Sequence, residues 1–399
     1  MINLNHQQLL STFERIFADA PEKRIRTFFS PGRINLIGEH TDYNGGYVFP
    51  SAITYGTYGL ARQRRDRMIR LYSLNFKEAG IIEFSLDDRS YDPAHLWANY
   101  PKGVFRYIQE SGHEFANGLD VLIYGNIPNG AGLSSSASLE LLIGVMVNEI
   151  FEFGINRVQL VKIGQQVENK FIGVNSGIMD QFAIGMGKEK SAILLDCQTL
   201  NYEYAPFDLA DHQIVIMNTN KRRELADSKY NERRSECEAA LAKLQTVSNI
   251  SSLGEMTADL FELNKSIIGD PVLEKRARHA VYENERTKKA FQALQAGDLI
   301  QFGLYMNESH ISLRDDYEVT GPELDALVEA AWKQDGTVGA RMTGAGFGGC
   351  AIALVQKAHI DRFIDEVRVT YKKKIGYDAE FYVASIGDGT KEIITEAIV

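Results

Sequence analysis

The chain has 399 residues, of which 44% are hydrophobic and 24% charged, and its formal net charge is −10. The length favours two domains, and the composition is typical of a globular protein and excludes a disordered or low-complexity chain. The acidic balance opposes a general attraction to nucleic acid, and no apolar run is long enough to cross a membrane. The first residues do not resemble a secretory signal, so we expect a cytoplasmic protein without nucleic-acid or membrane partners.

The first conspicuous stretch is SPGRINLIGEHTDYNGG, residues 30–46. It combines glycines with six polar side chains, namely Arg33, Asn35, Glu39, His40, Thr41 and Asp42. Polar loop residues carry function more often than core positions do, so this stretch is a candidate binding edge. A charged surface loop is the alternative.

Strand-like segments follow in the first half of the chain, and two helices with apolar faces lie among them. The strands are predicted at 54–63, 68–74, 119–128 and 191–197, and the apolar faces span 139–150 and 160–171. The second half is predicted to hold helices at 229–246, 274–296 and 322–333 and strands at 212–220 and 349–356. This pattern predicts two α+β domains, residues 1–205 and 206–399. Three dispersed cysteines, Cys197, Cys237 and Cys350, fit neither a disulfide framework nor a zinc site.

A second glycine-rich stretch, NIPNGAGLSSSAS at 126–138, connects a predicted strand to a predicted helix. Backbone N–H groups at such a helix start favour phosphate, and Gly130 and Gly132 allow a close approach. Ser134, Ser135 and Ser136 add hydroxyls, but the absence of lysine excludes the Walker pattern. The alternative is an ordinary connection whose serines cap the helix.

Two acidic residues lie near the next loop, in VENKFIGVNSGIMDQFAIGMG at 167–187. Glu168 falls on the buried side of the predicted helix, where a carboxylate needs either Mg²⁺ or a basic partner. Asp180 has apolar neighbours, so it is either a base with a shifted pKa or a helix cap.

The third glycine-rich stretch is GARMTGAGFGGCAIAL, residues 339–354. Its formal G-x-G-x-x-G is followed by a strand-like segment, which is the wrong context for dinucleotide binding. It predicts either a tight turn against a ligand or the other domain, or a plain hairpin.

Together these stretches resemble the GHMP kinases, a family of sugar and small-metabolite kinases, and in particular its members that act on galactose. GRINLIGEHTDYNGG resembles their sugar signature, PNGAGLSSSAS their phosphate loop, GIMDQ their catalytic segment and MTGAGFGGC their third motif. The resemblance covers nearly the whole chain. It implies a two-domain α+β GHMP kinase fold, with an N-terminal domain like domain 2 of ribosomal protein S5 and a ferredoxin-like C-terminal domain.

The resemblance also implies ATP-dependent phosphorylation of D-galactose at its C1 hydroxyl, which gives galactose 1-phosphate and ADP in the Leloir pathway. Asp180 would act on that hydroxyl with Arg33 beside it, and the sugar would further contact Glu39, His40, Thr41, Asp42, Gly177 and Tyr230. The ATP phosphates would lie on Gly130, Ala131, Gly132, Leu133, Ser134, Ser135 and Ser136. Ser136 and Glu168 would hold Mg²⁺. Ser73 and Trp97 match positions near the nucleotide, although either residue could simply pack.

Two departures from the family pattern are Ser176, where cysteine is common, and LELLIGV at 139–145, where smaller residues are usual. We expect neither to touch a proposed catalytic group. The resemblance leaves two alternatives, an N-acetylgalactosamine kinase and a non-catalytic galactose and ATP sensor. Thr41 and the 44–46 turn favour unmodified galactose, and Ser136 followed by Ala137 favours catalysis. We expect a monomer whose partners are its small-molecule substrates.

Overall fold

The computed structural model describes residues 5–18, 24–128, 130–221 and 226–394. Within these ranges, every helix is too short or too polar to cross a bilayer. The helices and strands belong to two mixed units, and each unit has its own sheet and its own apolar core.

The first unit alternates strands and helices. Its elements are α1 (His6–Ile16), β1 (Arg26–Asn35), β2 (Tyr47–Val48), β3 (Pro50–Gln63), β4 (Met68–Ser73), β5 (Ile82–Ser85), α2 (Asn99–Glu110), β6 (Leu119–Gly125), α3 (Ser135–Phe151), α4 (Arg157–Gln166), α5 (Met179–Met186), β7 (Ser191–Asp196) and β8 (Tyr202–Pro206). The four strands and the helix α3 predicted here are confirmed.

The second unit begins with a strand and continues with long helices. Its elements are β9 (His212–Asn218), α6 (Ala226–Leu244), α7 (Ala258–Asn264), α8 (Pro271–Gln295), α9 (Leu299–Asp315), α10 (Gly321–Ala331), β10 (Thr337–Thr343), β11 (Cys350–Gln356), α11 (Ile360–Ile375), β12 (Glu380–Ala384) and β13 (Lys391–Glu392). The predicted helices correspond to α6, α8 and α10, and the predicted strands to β9 and β11.

Three sheets organise these elements. A six-stranded sheet has the order β13-β1-β3-β6-β4-β5, a four-stranded antiparallel sheet has the order β10-β11-β9-β12, and β2, β7 and β8 form a third sheet. In the six-stranded sheet only β4 and β6 run parallel. The last strand, β13, returns to pair with β1, so the chain's final described residues lie against the first unit. The boundary near residue 205 stays a prediction.

A shared apolar cluster joins the two units next to the glycine-rich loops. It contains Ile34 and Phe49 from the first unit and Phe302 and Ile352 from the second, all almost fully buried. Burial of large apolar side chains is the main favourable term in packing, so this cluster fixes how the loops at the ends of β1, β6 and β10 meet.

One predicted helix is interrupted. The apolar stripe at 160–171 predicts a continuous helix, but α4 ends at Gln166 and a π-helical turn follows at Val167–Ile172. A π turn inserts an extra residue into the ladder and is often found at functional sites. This turn carries Glu168, which is buried as its sequence position predicts.

Candidate active site

A cavity of about 710 Å³ lies where the three glycine-rich stretches meet. Each stretch contributes residues to its wall. These are Arg33, Glu39, His40 and Asp42 from the first stretch, residues 130 and 132–136 from the second, and Gly344 and Ala345 from the third. Glu168, Gly177, Asp180 and Tyr230 complete the predicted set on its wall. Loops that are distant in sequence therefore share one cavity, which is the default location for a binding site.

Arg33 connects the parts of this cavity. Its Nε and Nη2 atoms donate to the two oxygens of Asp180 at 2.8 and 2.9 Å, and its Nη1 donates to the Gly132 carbonyl at 2.8 Å. Burial alone would lower the pKa of Arg33, but the charge and hydrogen bonds of Asp180 together with the charges of Glu39 and Asp42 outweigh burial, and the pKa is raised. A two-pronged pair of this kind fixes direction as well as distance.

Local backbone geometry places Arg33 there. The pairing of β1 with β3 shifts register between Pro31 and Arg33, and bulges of this kind re-aim side chains. A Cβ atom at Gly32 would lie 2.8 Å from the Leu133 carbonyl, so only glycine lets β1 approach the second stretch this closely.

The second stretch is a strained loop that opens α3. Gly130, Gly132 and Ser134 all have positive φ, and for Ser134, a residue with a side chain, this conformation is unfavourable. Its hydroxyl makes no helix cap and instead donates to Asp180 Oδ2. The cap alternative for these serines is therefore wrong at Ser134. Asn129, within the same motif, lies outside the described residues.

Asp180 is not a helix cap either. It lies in the first turn of α5, where the N-cap residue is Ile178, and no side-chain cap hydrogen bond forms at this described helix start. Its carboxylate is held by Arg33 and Ser134, and it faces the cavity.

Glu39 ties the first stretch to the third. It is 1% exposed, accepts from the Gly344 N–H at 3.0 Å through Oε1, and pairs with Arg341 at 2.8 Å through Oε2. Arg341 is itself fully buried and donates to the Asn35 carbonyl at 2.9 Å. The third stretch is thus a turn packed against the other unit, which is the first of its two alternatives.

Four predicted ligand positions do not lie on the cavity wall. The Thr41 hydroxyl is buried between the carbonyls of Gly38 and Tyr47, at 2.9 and 2.7 Å, so Thr41 shapes the loop from behind. Ser73, Ala131 and Trp97 are also off the wall: Ser73 and Ala131 are almost fully buried, and Trp97 packs on the core beside Phe76.

The proposed metal ligands are adjacent. Ser136 Oγ donates to Glu168 Oε1 at 2.7 Å. Burial raises the pKa of Glu168, and no basic side chain is among the partners found for it in the described ranges. The alternative of an Arg or Lys partner is thus not supported, and a buried carboxylate beside a hydroxyl fits a cation.

A serine hydroxyl and a carboxylate are oxygen donors of the kind that Mg²⁺ accepts. Among the described residues there is no group of three His, Cys, Asp or Glu side chains that could hold a metal. A fully proteinaceous metal cage is therefore missing from that part of the chain. Mg²⁺ typically takes one or two protein oxygens and completes its shell with water and substrate phosphates.

One of the two departures from the family pattern contacts a proposed metal ligand, although neither is found among the hydrogen-bond partners of Asp180 and Arg33 in the described residues. Ser176 Oγ donates to Glu168 Oε2 at 2.6 Å. In the 139–145 segment, Glu140 is buried and accepts from Gln181 at 3.0 Å, and burial followed by the Glu168 charge raises the pKa of Glu140 well above its usual range. The π turn brings these groups together, and a regular helix pattern does not reveal that.

The sequence also missed part of the cavity wall. Tyr100 and Asn231 line it although they lie outside the stretches described in the sequence analysis, and four further lining residues lie within those stretches but had no assigned role, namely Ile127, Ile172, Val174 and Met179. Their apolar or singly polar character gives no signal in the sequence that distinguishes a cavity wall from a core.

Comparisons with known proteins match this chain over most of its length. Family models match the chain at residues 99–188 (GHMP kinases N terminal domain), 11–63 (galactokinase galactose-binding signature) and 290–373 (GHMP kinases C terminal). A galactokinase of Clostridium beijerinckii is 60% identical over 98% of this chain and 100% of its own length. A galactokinase of Enterococcus faecalis is 61% identical over 96% of this chain and 99% of its own.

Solved structures give the same result. The crystal structure of Lactococcus lactis galactokinase complexed with galactose matches with a TM-score of 0.94 and 55% identity, covering 97% of this chain and 99% of that one. Methanococcus jannaschii mevalonate kinase matches with a TM-score of 0.65 and 18% identity, covering 92% of this chain and 99% of that one. The two proteins therefore share a fold.

Asp42 gives this site a pH-dependent stability. Burial and, second, the Asp180 charge raise the pKa of Asp42 from 3.8 to about 6. A raised carboxyl pKa means that its contribution to stability is complete below about pH 4 and is lost as pH rises through about 6. Asp42→Asn should therefore stabilise the ligand-free protein by an amount that grows from pH 5 to about pH 6.5 and then stays level up to pH 8. The gain in the free energy of unfolding should be on the order of 1 kcal/mol, because solvent reaches part of the side chain, and it should appear as a higher melting temperature.

Thermal unfolding of the ligand-free protein across this pH range measures the effect. Asp66→Asn is the control, because the Arg64 pair lowers the pKa of Asp66 to about 2 and its effect should not change between pH 5 and 8. An Asp42→Asn difference that is constant or shrinks with rising pH would contradict the assignment.

Proposed function

Because the chain belongs to the galactokinases of the GHMP kinase family, we propose that its cavity transfers the γ-phosphoryl group of ATP to the C1 hydroxyl of D-galactose, giving galactose 1-phosphate and ADP. Galactose phosphorylation is the activity that its full-length relatives and their shared fold support. The observation that carries the proposal in atomic terms is that Arg33 holds Asp180 against the 130–136 loop.

Asp180 would receive the C1 hydroxyl. Its oxygens lie between Arg33 and Ser134, so a hydroxyl bound beside them is positioned close to phosphates that rest on the 130–136 loop. Phosphoryl transfer passes through a loose transition state, and positioning and charge stabilisation supply most of the catalysis. The Arg33 guanidinium offsets charge on the transferred group, and Asp180 accepts the proton as the bond to phosphorus forms.

The remaining wall residues would recognise the sugar. Asp42, Gly177 and Tyr230 form one side, where a Cβ atom at Gly177 would overlap the Asp42 carboxylate, so glycine keeps that carboxylate in place. Glu39 and His40 form another side. A site that pairs each hydroxyl rejects an epimer because the wrong epimer leaves a buried polar group unpaired.

Ser136 and Glu168 would hold Mg²⁺ next to the ATP phosphates. When bound, the ion would neutralise negative charge on the phosphate oxygens. Ser176 would orient Glu168 by donating to its second oxygen, which leaves the first oxygen facing Ser136.

We also propose a cytoplasmic monomer with a domain boundary near residue 205. Use of ATP favours the cytoplasm. The sugar and nucleotide residues then belong mainly to the 1–205 domain, and the third glycine-rich turn comes from the 206–399 domain.

An ADP-release assay on the purified protein tests the function. Galactose should drive ADP release, N-acetylgalactosamine should do so much more weakly, and Asp180→Ala should lower kcat by at least about 10³-fold while ATP binding is retained. The reason is that Asp180 contacts the acceptor and not the nucleotide. Preferred turnover of the acetylated sugar, galactose binding without turnover, or normal turnover by Asp180→Ala would each overturn the proposal.

A metal titration tests Glu168. Glu168→Gln removes the charge that would attract Mg²⁺, so the Mg²⁺ concentration for half-maximal activity should rise about tenfold or more. Glu140→Gln is the matched control, because burial raises the pKa of Glu140 well above its usual range and an amide replaces a neutral group of the same shape. An unchanged titration for Glu168→Gln would return Glu168 to a structural role.

A further inference from the structure

A row of side-chain hydrogen bonds runs from the cavity wall into the second unit. His40 Nε2 lies 3.2 Å from the Ala345 carbonyl, and His40 Nδ1 lies 2.8 Å from the Tyr43 hydroxyl. The Tyr43 and Tyr317 hydroxyls are 2.7 Å apart, and Tyr317 Oη lies 3.1 Å from Cys237 Sγ. We call this row the hydroxyl relay; it consists of the Tyr43 and Tyr317 hydroxyls and, at its far end, the Cys237 thiol.

The direction of every bond in this row follows from its cavity end. A carbonyl oxygen only accepts, so His40 Nε2 must carry the proton that is donated to Ala345. Burial, followed by the nearby His279, lowers the pKa of His40 to about 3, so the ring is neutral and Nδ1 accepts from Tyr43. Each hydroxyl has one proton, and therefore Tyr317 donates to Tyr43 and Cys237 donates to Tyr317.

We propose that the hydroxyl relay is a positioning device that supports the Nε2-protonated tautomer of His40, which the Ala345 carbonyl selects, and so helps to set which sugar hydroxyl pattern the site accepts. On the cavity wall His40 and Ala345 then present one N–H donor beside one carbonyl acceptor. A sugar hydroxyl both donates and accepts, so it can replace the 3.2 Å bond between them with two bonds of its own. The role in sugar selection rests on the proposed function.

The backbone supports a dedicated arrangement at His40. This residue has a φ of 60°, a conformation that is unfavourable for a residue with a side chain and that persists where the surroundings impose it. A nearby histidine, His279, has the same kinds of hydrogen-bond partner as His40, although they come from other residues. Its Nδ1 lies 2.8 Å from the Ser312 hydroxyl, and its Nε2 lies 3.0 Å from the Glu39 carbonyl. Both rings thus bond to carbonyls of the sugar-binding loops.

Packing alone does not account for the hydroxyls. The Tyr317 ring lies between the two histidine rings, with centroids 4.8 Å from His40 and 4.5 Å from His279. Phenylalanine would preserve these ring contacts and would remove only the hydroxyl, so Tyr→Phe variants separate a packing role from the relay.

Tyr43→Phe and Tyr317→Phe in the full chain test the proposal. Loss of the donor to Nδ1 should shift the ¹⁵N resonances of His40 away from those of a single fixed tautomer, and Tyr43→Phe should raise KM for galactose about tenfold. KM for ATP should not change. Discrimination between galactose and its epimers should weaken in the same variants, because the donor and acceptor at the wall are no longer fixed.

Tyr371→Phe is the matched control. Tyr371 is a fully buried tyrosine whose hydroxyl donates to the Thr219 carbonyl at 2.7 Å, away from the cavity. The Tyr371→Phe variant should leave the His40 resonances and KM for galactose unchanged. Cys237→Ala removes the donor at the end of the relay, whereas Cys237→Ser keeps one. The serine variant should therefore retain the His40 resonances and the KM for galactose that the alanine variant changes.

Unchanged His40 resonances in both Tyr→Phe variants would overturn the relay, and so would an unchanged KM for galactose in Tyr43→Phe. If Tyr43→Phe does not fold, Tyr317→Phe and the Cys237 pair decide in the same way. If the parent protein releases no ADP with galactose, the proposed function fails and the relay's part in sugar selection fails with it. The resonances then still decide whether the relay supports the His40 tautomer.

Discussion

The Arg33 guanidinium is the interaction on which the rest of the site depends. It is almost completely buried, and three of its N–H groups bind Asp180 and the Gly132 carbonyl. A buried charge is costly unless it is paired, so the surrounding loops cannot move apart without leaving Arg33 or Asp180 unpaired. Asp180, the proposed acid, and the proposed phosphate loop are therefore kept in one fixed relation.

Other buried hydrogen bonds and ion pairs also hold the loops of the cavity in place. Glu39 binds the Gly344 N–H and pairs with Arg341, which joins the first and third glycine-rich stretches across the two units. Ser136 and Ser176 fix Glu168 from both sides. Each link satisfies a buried group that would otherwise destabilise the fold, so stability and the geometry of the site rest on the same contacts.

The sequence predicted most of the fold and the meeting of the loops, because regular apolar periodicity marks α3, α8 and β9 and because glycine-rich motifs mark their own positions. It did not predict which polar side chains of these stretches turn away from the cavity. Thr41 is polar like its neighbours Glu39 and Asp42, but its hydroxyl is hydrogen-bonded to the backbone carbonyls of the loop and not available to a ligand. The contact of Ser176 with the proposed metal ligand Glu168 was not predicted either, because the π turn that carries Glu168 has no signature in helical spacing.

The central claim is that a hexose oxygen and a nucleotide phosphate meet in the cavity that Arg33 organises. A crystal structure of the protein with galactose and a non-hydrolysable ATP analogue tests it most directly. The account predicts that the C1 oxygen lies beside Asp180, in line with a γ-phosphate bound by the backbone of residues 130–136. Sugar or nucleotide bound outside this cavity, or a C1 oxygen turned away from Asp180, would contradict it.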